Sequence, residues 1–473
     1  MIKKIGYNDI KDVISILKTL EYVKSTTFGL ITPVKNVLEK NLTSLSRFNI
    51  RSPITICYAY SENSWHNSQK YHIMDNTQFF YDTELADLEE KSKIITNELK
   101  KNTKQDYCKL AKKLIINGTG AFTFIIIGKD YLVLGKDPLG IQPFYYGQNE
   151  SHFIFASNRR IFWKLKINNP KFFPPGNICI ANNSEIKFIS VKKFKIGYTK
   201  SINLNASNIL LRLLNNSIRK HLKGINSCAV AFSGGLDSSL IAFLTKKYVK
   251  DIQLIHVSLA ENPEIEEAKK AAKILDLPIE IFSYLETDVQ ETLSKVLKII
   301  EEPTPLKASI GIPFYWVAQK TKKIGFDVLL AGQGADELFG GYKKYLDLYL
   351  SNGNEKATKK MFNDILQMHE NNLARDMKIC NYHGIALCCP FLSTKLIDFA
   401  LKLPIELKME KNPNSLRKLI LRKVCYNIGL PSIIVEKPKK AIQYSTGVNR
   451  TLIKLAKNNK IKLSKYIENK FSN

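Results

Sequence analysis

Residues Val230 to Leu240 read VAFSGGLDSSL: an apolar run, two glycines, an aspartate flanked by hydroxyls, then the start of an apolar helical pattern. A glycine loop between a strand and a helix is the setting in which backbone N–H groups and a helix N-terminus cradle a phosphate. Gly234 and Gly235 permit a tight turn and close approach of a ligand, while Ser233, Ser238 and Ser239 add hydroxyl donors around Leu236. Asp237 is repelled by a phosphate unless a cation intervenes, so it implies Mg²⁺ bridging to the phosphate oxygens. The competing reading is a Gly-Gly turn whose Asp and Ser merely cap the helix. The complete string Ser-Gly-Gly-Leu-Asp-Ser-Ser favours the phosphate loop. A Walker A pattern occurs nowhere in the chain.

A second stretch, LLAGQGADELFGGY, residues 329 to 342, places Gly332, Gln333, Gly334, Asp336 and Glu337 just past an apolar strand. Alone it is a glycine-rich turn capped by acids. The first stretch resembles the Ser-Gly-Gly-x-Asp-Ser loop of the ATP pyrophosphatases, which cleave ATP between the α- and β-phosphates. Beside it, the second is similar to the Gly-x-Gly-Ala-Asp-Glu-x-Phe-Gly-Gly-Tyr motif of asparagine synthetases. That resemblance implies ATP contacts at the first loop and at Gly332 and Gly334, and a second Mg²⁺ carboxylate at Asp336, paired with Asp237. It continues through EEPTPLKASIGIPFYWVAQKTKKIGFDVLLAG, CCPFLSTKLIDFALKLPIELK, RKLILRK and GLPSIIVEKPKKAIQYSTG. Within the last, EKPKKAIQY resembles the family's Arg-x-Lys segment, which implies that Lys439 stabilises charge during adenylation; Lys440 is nearly as eligible. Val257 and Ser258, at the end of the next strand, are candidate adenine contacts. In the N-terminal half, NGTGAFTFIIIGKDYLVLGKDPLGIQPFYYG and FIFAS look like the second half of the same family's glutaminase domain.

The departures limit what carries over. Glutaminases of this family use a cysteine exposed as the first residue, and here position 2 is Ile2, while Cys57 is followed by Tyr58. The His-Arg-Gly and Asn-Gly-Glu segments are also missing, so the expectation is a glutaminase fold without glutaminase activity. In the other half Gln333 stands where many asparagine synthetases have glutamate, Ala386-Leu387-Cys388 replaces Glu-x-Arg, and Ser393 replaces an aspartate. The expected reaction is activation of a carboxylate, aspartate first, as an acyl-adenylate on Mg–ATP, followed by attack of ammonia or another amine. Its alternatives are a β-lactam-synthetase-like or other metabolite ligase and a non-catalytic regulator. A homodimer and a separate glutaminase partner remain open.

These residues need elements to hold them. From about residue 120 to 190 short β-rich runs follow one another, with helical patterns around 8–24 and 84–114 before them. This reads as an α+β domain over residues 1–195, which the resemblance makes a sandwich of two sheets between helices, the αββα N-terminal-nucleophile fold. After IGYTKSINLN, strands and helices alternate over residues 205–473, an α/β pattern that predicts a doubly wound parallel sheet with ligands at the carboxyl strand ends. By resemblance this half is of the adenine-nucleotide α-hydrolase type. The lysine-rich last 24 residues read as a fraying tail. At 473 residues the chain exceeds one ordinary core. Its +28 formal charge is spread along the whole length, which favours a solvated basic surface over a nucleic-acid partner. No pair of the eight cysteines has C-x-x-C spacing, so buried thiols are expected. Neither a membrane span nor a signal peptide is legible, and the expected location is cytoplasmic.

Overall fold

A computed structural model describes residues 1–4, 8–19, 27–32, 36–48, 52–60, 72–74, 77–83, 107–118, 120–127, 131–197 and 205–472. The chain divides into two compact units, Met1–Lys193 and Phe194–Asn473.

The β-rich runs of the first unit are strands where their alternation placed them: Phe122–Ile127, Tyr131–Lys136, Tyr145–Gln148, His152–Ala156, Asn177–Asn182 and Ile186–Ser190. They belong to two antiparallel sheets, of six and four strands, and Thr27–Ile31, Asn36–Glu39 and Ile56–Tyr60 form a third of three. The fully buried FTFIII strand lies inside the six-stranded sheet, and its alternate residues part to opposite faces. Phe122, Phe124 and Ile126 pack with Leu110, Leu114 and Ile115 of the helix Tyr107–Asn117. Ile125 and Ile127 pack with Ile2, Phe144, Phe153 and Phe173. The helix Ile10–Lys18 buries Val13, Ile16 and Leu17 against Tyr145 and Ile154 of the four-stranded sheet. The helical pattern drawn at 84–114 lies outside the described residues as far as 106, as does part of that at 8–24.

The second unit is built on five parallel strands in the order Ile279–Tyr284, Asp251–Leu259, Ser227–Ala231, Val328–Leu330, Ala386–Cys388. Helices connect them, as the alternation predicts, and mixed α/β architecture around a parallel sheet is established. The central strand, SCAVA, is buried from Cys228 to Val230 because both faces of such a sheet are covered. The fifth strand, Ala386–Cys388, has no counterpart in the sequence reading. Three residues carry no periodicity, and only their pairing with Val328–Leu330 makes them a strand.

The tail does not fray. Residues 448–458 and 463–472 are helices, packed on each other and on the helix Glu286–Ile300. The lysines cover the outside while Val448, Leu452, Ala456, Tyr466 and Ile467 are buried, an amphipathic stripe that overall polarity conceals.

Candidate active site

The Ser-Gly-Gly loop leaves the central strand and opens the helix Leu236–Thr245. Gly234 has φ +65°, and a Cβ there would sit 3.0 Å from the Cα of Ala268, so glycine is needed both for the turn and for the approach of the next helix. The Ser233 hydroxyl accepts from Gly235 N at 3.3 Å, and the Ser238 hydroxyl, 3.2 Å from it, accepts from Ser233 N and donates to Gly235 O. These bonds shape the loop. Among the described residues no side chain caps the helix at its N-cap, Gly235, so the first-turn N–H groups keep their attraction for an anion. Ser239 points inward, its hydroxyl buried without a hydrogen-bond partner among the described residues.

Gly332, just past the neighbouring strand Val328–Leu330, lies against this helix; a Cβ on it would be 3.1 Å from the Cβ of Asp237. The short helix Ala335–Phe339 follows, entered at Gly334 with φ +91°, and it carries Asp336. Asp237 and Asp336 are thereby brought together from two neighbouring strand ends. Lys418 joins them: its Nζ lies 2.5 Å from Asp237 Oδ2 and 2.6 Å from Asp336 Oδ1. Lys439 Nζ takes the other oxygen of Asp336 at 2.7 Å. Burial raises the proton affinity of Asp336, but Lys418 and Lys439 outweigh it and hold the carboxyl well below the usual carboxylate range. Burial likewise lowers Lys439, and Asp336 with Asp237 overcomes it, keeping the ammonium above its ordinary value. Lys440 turns elsewhere, to Glu264 at 2.5 Å, so geometry separates two lysines that sequence left nearly equivalent.

A small cleft, open to solvent, runs over the loop between Ser233, Asp237, Lys418 and Lys439. Arg417 and Arg422 shape its wall. Arg417 donates to Gly341 O at 2.8 Å, and Arg422 donates to the carbonyls of Arg417, Val435 and Lys437. The guanidinium of Arg422 is therefore a brace for the backbone that presents Lys437 and Lys439. Lys418, absent from the residues singled out by sequence, sits at left-handed φ +63° and is almost fully buried. Its only signal was membership of the basic segment RKLILRK; nothing local marks which basic side chain turns inward.

Two hard-oxygen carboxylates suit Mg²⁺, which takes one or two protein oxygens and leaves the rest to water and phosphate. The residues fit such an ion. Asp237 Oδ1 is buried without a hydrogen-bond partner among the described residues, and an ammonium lies where the two carboxylates converge, marking a point that favours a cation. No cluster of three or more His, Cys, Asp or Glu suited to a metal occurs among the described residues.

The remaining expected residues lie outside the cleft lining. Val257 and Ser258 are buried within the strand Asp251–Leu259, paired with Phe282 and Ser283. Gln333 is half-buried and donates from Nε2 to Asp376 Oδ2 at 2.7 Å. Ala386 and Cys388 are buried members of the fifth strand, so the charge missing there is missing from the sheet interior. Among the described residues no helix is long and apolar enough to cross a membrane.

The asparagine synthase family model matches residues 210–356 and 349–469, more than half of the chain, and a glutamine amidotransferase domain model matches residues 65–164. A putative glutamine-hydrolysing asparagine synthetase of Methanocaldococcus jannaschii is 32% identical over 72% of this chain and 71% of its own length. Asparagine synthetase B of Escherichia coli is 28% identical over 72% of this chain and 62% of its own. A glutamine phosphoribosylpyrophosphate amidotransferase from B. subtilis aligns with a TM-score of 0.32 and 14% identity over 58% of this chain and 64% of that one, too slight a likeness to add to the sheets described above. Matched by one family model over more than half of its length, the chain belongs to the asparagine synthase family of ligases.

Proposed function

We propose that the second unit activates a carboxylate, aspartate first, by adenylation and passes it to ammonia or another amine. A carboxylate oxygen attacks the α-phosphorus of ATP, the bond from that phosphorus to the α,β-bridging oxygen breaks, and pyrophosphate departs. The nitrogen nucleophile then attacks the acyl carbon, loses a proton and displaces AMP. The observation that carries this reading is the meeting of Asp237 and Asp336 on one buried ammonium, beside an uncapped helix N-terminus.

Each group has a share. Ser233, Gly234, Gly235, Leu236, Ser238 and Ser239 hold the departing pyrophosphate through backbone N–H groups and hydroxyls. Gly332 and Gly334 let the second loop approach, and Val257 and Ser258 back the adenine side. Asp237 and Asp336 hold Mg²⁺, which when bound neutralises phosphate charge. Lys418 then turns from the carboxylates to the phosphate oxygens, and Lys439 stabilises charge developing at the α-phosphate. Gln333 serves the acceptor side of the site.

The glutaminase-like unit supplies no nitrogen in this scheme. Burial pushes the Cys57 thiol up despite the opposing Met1 ammonium, and burial pushes Cys179 to about 12, so neither thiol forms a ready thiolate at neutral pH. The test is pyrophosphate release from ATP by the purified chain with aspartate, with aspartate and ammonium, and with other carboxylic acids. Release that depends on aspartate supports the proposal. Release that ignores aspartate moves the activity to another carboxylate, and no release under any condition leaves a non-catalytic regulator.

A further inference from the structure

Gln333 is anchored in an unusual way. Asp376, fully buried, receives the Gln333 Nε2 on Oδ2 and the Arg375 guanidinium on both oxygens, Nε to Oδ1 at 2.7 Å and Nη2 to Oδ2 at 3.0 Å. A carboxylate clamped by a guanidinium only accepts hydrogen bonds, so the Gln333 carboxamide has one orientation open to it: nitrogen toward Asp376, oxygen away. Its Oε1 makes no hydrogen bond among the described residues, and the side chain is half-buried, so the carbonyl is the group left to face a ligand. Gln333 follows Gly332, which touches Asp237, and precedes Asp336 by three residues, so whatever Oε1 meets lies beside the phosphate site.

We infer that Asp376 is a positioning residue: it fixes Gln333 with its carbonyl oxygen outward and requires an amide at 333, so that the acceptor is met there by a neutral hydrogen-bond acceptor for an N–H. A glutamate at 333 would set a second carboxylate within hydrogen-bond distance of Asp376, where like charges cannot both ionise without penalty. The buried negative charge of this corner is thus carried by Asp376, one layer behind the side chain that meets the ligand. An acceptor bearing an ammonium or amine, such as an α-amino acid, suits a carbonyl oxygen; this link to the acceptor rests on the adenylation reading above.

The test uses the full chain with Gln333→Glu, Asp376→Asn and both together. In the double variant the carboxamide introduced at position 376 donates to the carboxylate introduced at position 333 and still accepts from Arg375 Nε on its oxygen, giving up the Nη2 bond, so the hydrogen bond between 333 and 376 is reversed without being lost. Gln333→Glu should lower the melting temperature at pH 8 by about 4–8 °C, with a smaller loss at pH 5.5, where a shared proton relieves the carboxylate pair. The double variant should recover at least half of that loss. Asp376→Asn alone should raise KM for aspartate about tenfold and leave KM for ATP within about twofold, since only the acceptor side loses its oriented carbonyl. A double variant no better than Gln333→Glu, or a Gln333→Glu penalty that does not change with pH, would overturn the inference; so would Asp376→Asn that alters both KM values alike. Should the wild type release no pyrophosphate with any carboxylate, the adenylation reading fails, and the melting series still decides whether Asp376 dictates the amide.

Discussion

At the residue scale the candidate site is a balance of two carboxylates against two lysines, Lys418 buried and Lys439 partly exposed. Asp237 was legible because an aspartate has no business beside a phosphate without a cation, and Asp336 because its glycine-flanked motif resembles one family closely. Lys418 was not legible. Its side chain reaches Asp237 from 181 positions away in sequence, out of a left-handed backbone turn that no local pattern announces. The pair Lys439 and Lys440 could be parted only in three dimensions, and this yields a direct test. Lys439→Ala removes the cation paired with Asp336, so kcat for pyrophosphate release should fall by about 10²–10³. Lys440→Ala removes only an exposed ammonium from Glu264, which keeps Lys437 at 3.7 Å, and should stay within about threefold in steady-state assays. Equal losses in the two variants would contradict the assignment.

At the element scale the strands and helices that carry the site followed from periodicity, whereas the fifth strand and the last two helices did not. Three residues show no period, and a lysine-rich helix hides its apolar stripe in composition. A buried cation nearby offers a second prediction. Lys408, in the short helical turn region after Pro404, is almost fully buried, its Nζ donating to Ala400 O at 2.8 Å. Burial lowers it from 10.5 to about 7. Between those values the unfolded chain binds the extra proton and the folded chain does not, so stability rises with pH across that window. Lys408→Met fills a similar volume without a charge to desolvate. It should stabilise the protein by on the order of 2–4 kcal/mol at pH 6–7, with the gain shrinking toward pH 10 in denaturant titrations. A gain independent of pH would mean that packing, not desolvation, is responsible.

At the scale of the whole molecule, two units of different texture correspond to two family models, a glutamine amidotransferase domain in the first and asparagine synthase in the second. The period change near residue 200 made that division visible in sequence. The fate of the first unit's chemistry was less visible, because resemblance reports a fold more readily than a working nucleophile. With Cys57 and Cys179 held protonated by burial, glutamine should not replace ammonium as nitrogen donor, and the purified chain should release no glutamate from glutamine in a coupled assay. Glutamate release above background would overturn that part of the account. The central claim is that Asp237 and Asp336 make one metal–phosphate site serving adenylation. It is tested most directly by aspartate-dependent pyrophosphate release from Mg–ATP, comparing the wild type with Asp237→Ala. The account predicts release by the wild type and a loss of about 10³ or more in the variant with the fold intact by circular dichroism. Undiminished release by Asp237→Ala would contradict it.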